Sequence, residues 1–174
     1  MSISVVLQLI PEDIDEARVY IDSFKKIEGV NECILSLPSL LDGAAVSGLF
    51  ETANALADSF FKFEVCPSDY SSSACMNISA VKAQNNVLLF VERGFWVVPG
   101  DETTHNLAEL QRGVVAEIRR FRSLNSKAND ISGQVSYLTR MPDTVLGRVF
   151  AINRAHFLEV RGFDESALFC EALG

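Results

Sequence analysis

Residues 71–100 read SSSACMNISAVKAQNNVLLFVERGFWVVPG. Three serines able to cap a helix precede Ala74, Ile78 and Val81, which recur at helical spacing. Asn85-Asn86 ends that pattern, and Val87–Val91 follows as an unbroken apolar run. A run that is apolar at every position suits a strand buried on both faces, as in a parallel sheet covered by helices. The run then meets Glu92, Arg93 and Gly94 ahead of Pro99-Gly100. Charges at the tip of a buried strand mark either the rim of a site or a strand meeting water.

Upstream, the same alternation repeats. SISVVLQLI is a short β-branched run, and Pro11 follows it. Glu12, Asp13, Asp15 and Glu16 then suit the positive end of a helix dipole. Ile14, Ala17, Ile21 and Phe24 form one apolar stripe, Lys25 and Lys26 fall in the last turn, and Gly29 is the expected stop. NECILSLPS predicts a second strand ending at Pro38. Asp42 then caps a helix carrying Ala45, Leu49, Ala53 and Leu56, and FFKFEVCP predicts a third strand. Downstream, THNLAELQRGVVAEIRRF spaces Leu107, Leu110, Val114, Ile118 and Phe121 as a helix weakened at Gly113. QVSYLT and RVFAI read as strands, NRAHFLEV as a short helix and GFDE as a turn.

Strands alternating with helices predict an open, mostly parallel sheet with helices on both faces, a three-layer α/β/α arrangement. Residues 1–174 read as one domain. Ligands of such sheets bind beyond the carboxyl ends of the strands. Those ends are Leu9–Glu12, Leu37–Pro38 and Val91–Gly94. Neither GxGxxG after the first strand nor GxxxxGK[ST] occurs.

Composition bounds the partners. The chain has 174 residues, 48% hydrophobic, with 15 basic against 23 acidic residues and a net charge of −8. That balance argues against nonspecific nucleic-acid binding. Arg112, Arg119, Arg120 and Arg122 read as a solvated face. No apolar run has the roughly 18–20 residues that span a bilayer, and MSISVVLQLIPED lacks a signal peptide's basic start, so the expected location is cytoplasmic. Cys33, Cys66, Cys75 and Cys170 show no zinc spacing and are expected reduced and mostly buried. Two histidines, His105 and His156, are too few for a histidine-rich metal site.

The stretch 71–100 resembles the family-2 glycosyltransferases of the GT-A fold, in which a helix with an Arg-Asn pair precedes a strand ending in Asp-x-Asp. GRVFAINRAHFLEVRGFDES, residues 147–166, is similar to the acceptor-side segment of the same family. The resemblance implies a GT-A-like domain that moves a sugar, with inversion, from a nucleotide-diphosphate sugar to a glycan, protein or other acceptor. A UDP-sugar is the first donor it suggests. Oligomerisation is compatible with it. The implied donor contacts are Leu9, Pro11, Leu37, Asn77, Glu92, Arg93 and Gly94. Where the family places Asp-x-Asp to hold Mn or Mg, this chain has Glu92-Arg93-Gly94, which leaves Glu92 as the one carboxylate ligand. Either Arg93 meets the diphosphate in the metal's stead, or the pair is an exposed turn. Met76 replaces the arginine of the Arg-Asn pair. Lys82 on the same helix either reaches a phosphate or is solvated, and Asp42 is a late substitute for the acid expected at the second strand's end.

The implied catalytic base is a carboxylate after the GFDE turn, which makes Glu171 the candidate, with Asp164 beside it in the turn. Asp164 and Glu165 shape the acceptor rim, Gly162 permits the turn, and Arg154 lies on the acceptor side. Trp96 reads as core rather than as a sugar-stacking ring, and His156 as a helix-surface residue. The alternative to an enzyme is a catalytically inactive GT-A-like binding module, or a fragment completed by a partner chain.

Overall fold

The computed structural model describes residues 2–8, 17–38, 60–67, 70–92, 95–97, 107, 110, 112, 114–118, 121–123, 135–138 and 149–164. Nine strands are defined: β1 (Ile3–Gln8), β2 (Val30–Pro38), β3 (Phe61–Cys66), β4 (Val87–Val91), β5 (Phe95–Val97), β6 (Val115–Ile118), β7 (Phe121–Ser123), β8 (Val135–Leu138) and β9 (Val149–Asn153). The helices are α1 (Ala17–Phe24), α2 (Ser72–Lys82) and α3 (Arg154–Glu159).

Seven strands form one sheet in the order β3-β2-β1-β4-β9-β6-β8. The first four run parallel, and β9, β6 and β8 continue it by antiparallel pairing. β5 and β7 pair separately. The parallel strands are apolar on both sides because both sides are covered. Ile3, Val5, Leu7, Cys33, Leu35, Leu89 and Val91 pack against Ala17, Tyr20 and Phe24 of α1. Val6, Ile34, Leu88 and Phe90 face the opposite layer, with Ala80, Phe157 and Phe163. The expected α/β architecture with helices on both faces is therefore present.

Three expectations change. The stretch 104–121 was expected to be helical, but Val115–Ile118 is strand β6 and Phe121–Ser123 is strand β7. Leu107 and Leu110 are buried as expected. Beyond Gly113, however, the β-branched Val114-Val115 pair enters a slot beside β9, and ladder pairing outweighs helical periodicity. On α2, the buried positions are Ser73, Ala74, Cys75, Ser79 and Ala80, whereas Val81 is 60% exposed. The sheet supplies the large side chains in this layer, so the helix turns its small ones inward. Finally, α1 stops at Phe24, and the chain reaches β2 through a turn with Gly29 at φ 79°. The helix expected after Asp42 and the start of α1 before Ala17 lie outside the described residues.

At the amino ends of the parallel strands sits a buried carboxylate. Glu32 of β2 accepts hydrogen bonds from Ser4 of β1, from Lys62 of β3 and, at 2.9 Å, from the Gln84 backbone N–H just past α2. Burial alone would raise its pKa; the three donors outweigh that and hold it below 4.5. A depressed folded pKa contributes stability that is complete above about 4.5 and is lost as pH falls through the folded value. We expect Glu32→Gln to cost about 2 kcal/mol at neutral pH, a figure reduced because Lys62 is partly solvated. In urea titrations between pH 7 and 3, the variant's stability should fall less steeply than wild type below pH 4.5. Parallel curves would show that Glu32 carries none of the acid sensitivity.

Candidate functional site

The strand order defines one crevice. β1 leads to β2 and β3 on one side, and the chain then crosses back to place β4 on β1's other side. Such a switch point is where open α/β sheets bind ligands. Leu7 is level with Val91 across the β1–β4 pair, so Gln8 and Glu92 are the described residues at this rim. Glu92 is half-buried. Pro38 and Cys66, paired in register, end β2 and β3 at the same rim. Of the strand ends expected to carry the site, Leu37–Pro38 and Val91–Glu92 lie at this rim, and Leu9–Glu12 lies outside the described residues. Leu37 is the penultimate residue of β2, and its side chain is outside the described set, as are Leu9, Pro11, Asp42, Arg93, Gly94, Glu165 and Glu171.

α2 begins at this rim. Ser71 caps it, its Oγ accepting from the Ala74 N–H at 3.1 Å. Ser36 near the end of β2 and Ser73 in the helix's first turn are buried, and among the described residues neither hydroxyl has a hydrogen-bond partner. Cys66 and Cys75 are free, buried and hydrogen-bonded to each other. That bond, reinforced by burial, pushes the Cys66 thiol up, and against the opposing effect of burial it holds Cys75 down. Burial also raises Cys33. The expectation of burial holds for these three cysteines, and Cys170 lies outside the described residues.

The segment after β9 comes to the rim from below. β9 runs antiparallel to β4, so Asn153 pairs with Val87 at the far end of the sheet. Asn153 caps α3 there, and Arg154 follows. The Arg154 guanidinium donates to the Ala80 and Val81 carbonyls at 3.0 and 2.7 Å, closing the C-terminus of α2. Arg154 therefore does not lie on the acceptor side as expected: it sits at the amino ends of the parallel strands. α3 then climbs the sheet to a turn in which Arg161 and Gly162 take φ 68° and 74°. The Arg161 and Gly162 N–H groups bond back to the Leu158 and Phe157 carbonyls, closing the helix end.

Phe163 drops from this turn onto the upper half of β4. Its ring centroid is 5.0 Å from Phe90, 6.0 Å from Phe150 and 5.1 Å from Phe157. Asp164 comes next and is exposed. The ring that seats Phe163, Phe90, lies two residues before Glu92 on β4, and Asp164 follows directly from Phe163 in the chain.

Asn77 makes a contact that the sequence does not announce. Its Nδ2 donates to the Phe163 carbonyl at 3.0 Å, and its Oδ1 accepts from the Phe163 N–H at 2.9 Å. Both amide atoms hold the turn, a role that the expectation of a donor-sugar contact did not include. Met76, in the arginine's position, packs on the aromatic cluster. Lys82 pairs with Glu64. His156 is a partly exposed helix residue 3.7 Å from Glu159, and Trp96 falls in β5 opposite Arg122. Arg112 pairs with Glu159 at 2.8 Å.

Among the described residues no cluster of three or more His, Cys, Asp or Glu could hold a metal ion. A hard divalent cation needs several oxygen ligands, and at the described rim Glu92 is the sole carboxylate following a parallel strand. The described donor set does not fit Mn or Mg.

No family model and no curated protein matches the sequence. Solved structures do match in shape. GalNAc-T7 with UDP, GalNAc and Mn2+ aligns over 95% of this chain and 37% of its own, with a TM-score of 0.66 at 14% identity. The mannosyltransferase PcManGT from Pyrobaculum calidifontis, in complex with GDP-Man and Mn2+, covers 95% and 48%, with a TM-score of 0.59 at 14% identity. S. aureus TarS covers 95% and 31%, with a TM-score of 0.58 at 12% identity. The fold is GT-A-like. This GT-A-like chain spans about half or less of the length of those three proteins. Among its described residues, no helix is long and apolar enough to cross a membrane.

Proposed function

We propose that this chain is the donor-binding core of a glycosyltransferase that transfers a sugar from a nucleotide-diphosphate sugar, a UDP-sugar first, with inversion. The observation that carries the reading is the β1–β4 switch-point rim, with Glu92 at its centre and the Gly162–Asp164 turn seated on the same strand. The shared fold with enzymes solved with nucleotide sugars supports it. In the reaction, the acceptor oxygen forms a bond to the anomeric carbon as the bond to the diphosphate breaks. The acceptor's proton passes to a carboxylate after the turn, Asp164 or Glu171. The diphosphate gains charge as it leaves, and Arg93, next to Glu92 in sequence, supplies a guanidinium suited to it.

A heat-stability screen against UDP- and GDP-sugars, with and without chelator, tests this. A donor at a hundred times its Kd stabilises by about 2.7 kcal/mol, so a clear rise in Tm with one donor is expected. The rise should survive chelator and vanish in Arg93→Ala at the same donor concentration. Loss on chelation alone would overturn the arginine's role. A second reading, a non-catalytic binding module or a fragment completed by a partner chain, draws on the single rim carboxylate and the partial coverage of the solved enzymes. Failure of every donor to shift Tm would favour it.

A further inference from the structure

We infer that Asn77 is a positioning residue for the acceptor-side turn: it fixes the backbone at Phe163 and thereby the placement of Asp164. The inference rests on the sugar-transfer reading for its functional consequence, and on geometry alone for the contact itself.

Asparagine is a poor choice for the middle of a helix, because its short amide competes for local backbone groups. On α2 it instead reaches a residue 86 positions away and satisfies both backbone polar groups of Phe163, at 2.9 and 3.0 Å. The partner strand of chain is shaped for it. At Gly162 a Cβ would stand 2.3 Å from Asn77 Oδ1, so only a glycine lets the turn approach this closely. The ring of Phe163 lies in the aromatic seat while its backbone is held by Asn77. With side chain and backbone both fixed, Asp164 has one direction in which to leave. The other end of α2 is tied to the same segment through Arg154. The helix whose capped start lies at the donor rim is thus fastened along its length to the segment that carries the acceptor-side carboxylate.

The test compares wild type with Asn77→Ala, which removes both hydrogen bonds, and Asn77→Asp, which keeps an acceptor for the Phe163 N–H. Three quantities are read: hydrogen exchange over residues 157–164, nucleotide-sugar affinity by heat shift, and donor turnover split into kcat and KM. Expected for Asn77→Ala is exchange of the Phe163 amide at least tenfold faster, donor affinity within about twofold of wild type, and kcat lower by tenfold or more. Asn77→Asp should fall between the two in both exchange and kcat. Tenfold weaker donor binding in Asn77→Ala would overturn the assignment by making Asn77 a donor contact. Unchanged exchange and kcat would overturn it by removing the clasp. If wild type binds no nucleotide sugar, the sugar-transfer reading is what fails, and the exchange arm still decides whether Asn77 holds the turn.

Discussion

Phe90→Ala is expected to destabilise the protein by about 3–5 kcal/mol, the range for emptying a large aromatic from a packed core. Phe90 is 2% exposed and touches three other rings, Phe150, Phe157 and Phe163, each with its centroid 5.0 Å away. These three come from β9, from α3 and from the turn beyond it, so no neighbour on β4 can move in to fill the gap. Each lost ring pair adds to the area term. With a urea slope of about 2 kcal/mol/M, the unfolding midpoint should fall by roughly 2 M. Val81→Ala, at an exposed position on the adjacent helix, is the control and should stay within about 0.5 kcal/mol. A loss below 1 kcal/mol for Phe90→Ala would mean that the four rings do not form one cluster. The same variant unseats Phe163, so donor turnover should fall further than the unfolded fraction explains.

The parallel half of this fold is legible in the sequence because local and tertiary signals agree there. Val87–Val91 is apolar at every position, and both of its faces are in fact covered. Ser71 caps α2 as the serine run suggests. The antiparallel half is not, because its signals disagree. Leu107, Leu110, Val114 and Ile118 keep a helical period, yet β6 is recruited by the open edge of β9, a partner some 35 residues later in the chain. A pairing that distant leaves no mark on local spacing. The direction in which a helix faces is equally hidden when the sheet supplies the bulk, as the outward Val81 of α2 shows.

The site is legible in its address and not in its contacts. Strand ends can be counted from apolar runs, and topology alone then gathers them at one rim. What each polar residue touches depends on where the segment after β9 lands, and that depends on β9 reversing direction beside β4. Arg154 and Asn77 are polar residues on motif-like stretches, which made them candidates for ligand contact. Both bind backbone, one at each end of the contact between α2 and the returning segment, which their motifs do not announce. A weaker signal was available: Phe150, Phe157 and Phe163 recur within fourteen residues, and with the distant Phe90 they form one buried cluster drawn from β4, β9, α3 and the turn beyond it.

Gly162→Ala is expected to cost about 3 kcal/mol, from two separable sources. The backbone at φ 74° disfavours any residue with a Cβ, by about 1–2 kcal/mol. The new methyl would also stand 2.3 Å from Asn77 Oδ1 and 3.2 Å from Phe157 Cε1, which requires one side to move and adds about 1–3 kcal/mol. A double-mutant cycle separates them. In an Asn77→Ala background the oxygen is gone, so Gly162→Ala should cost only the conformational term, about 1 kcal/mol. The coupling between the two sites should therefore be 1–2 kcal/mol, well beyond the additivity expected of independent positions. Additive costs would show that the turn and α2 yield independently, and the contact between Asn77 and Gly162 would then carry neither the stability nor the positioning assigned to it. Coupling of that size would place the steric part of the cost in one partner side chain, while the φ penalty stays with the turn's own conformation in both backgrounds.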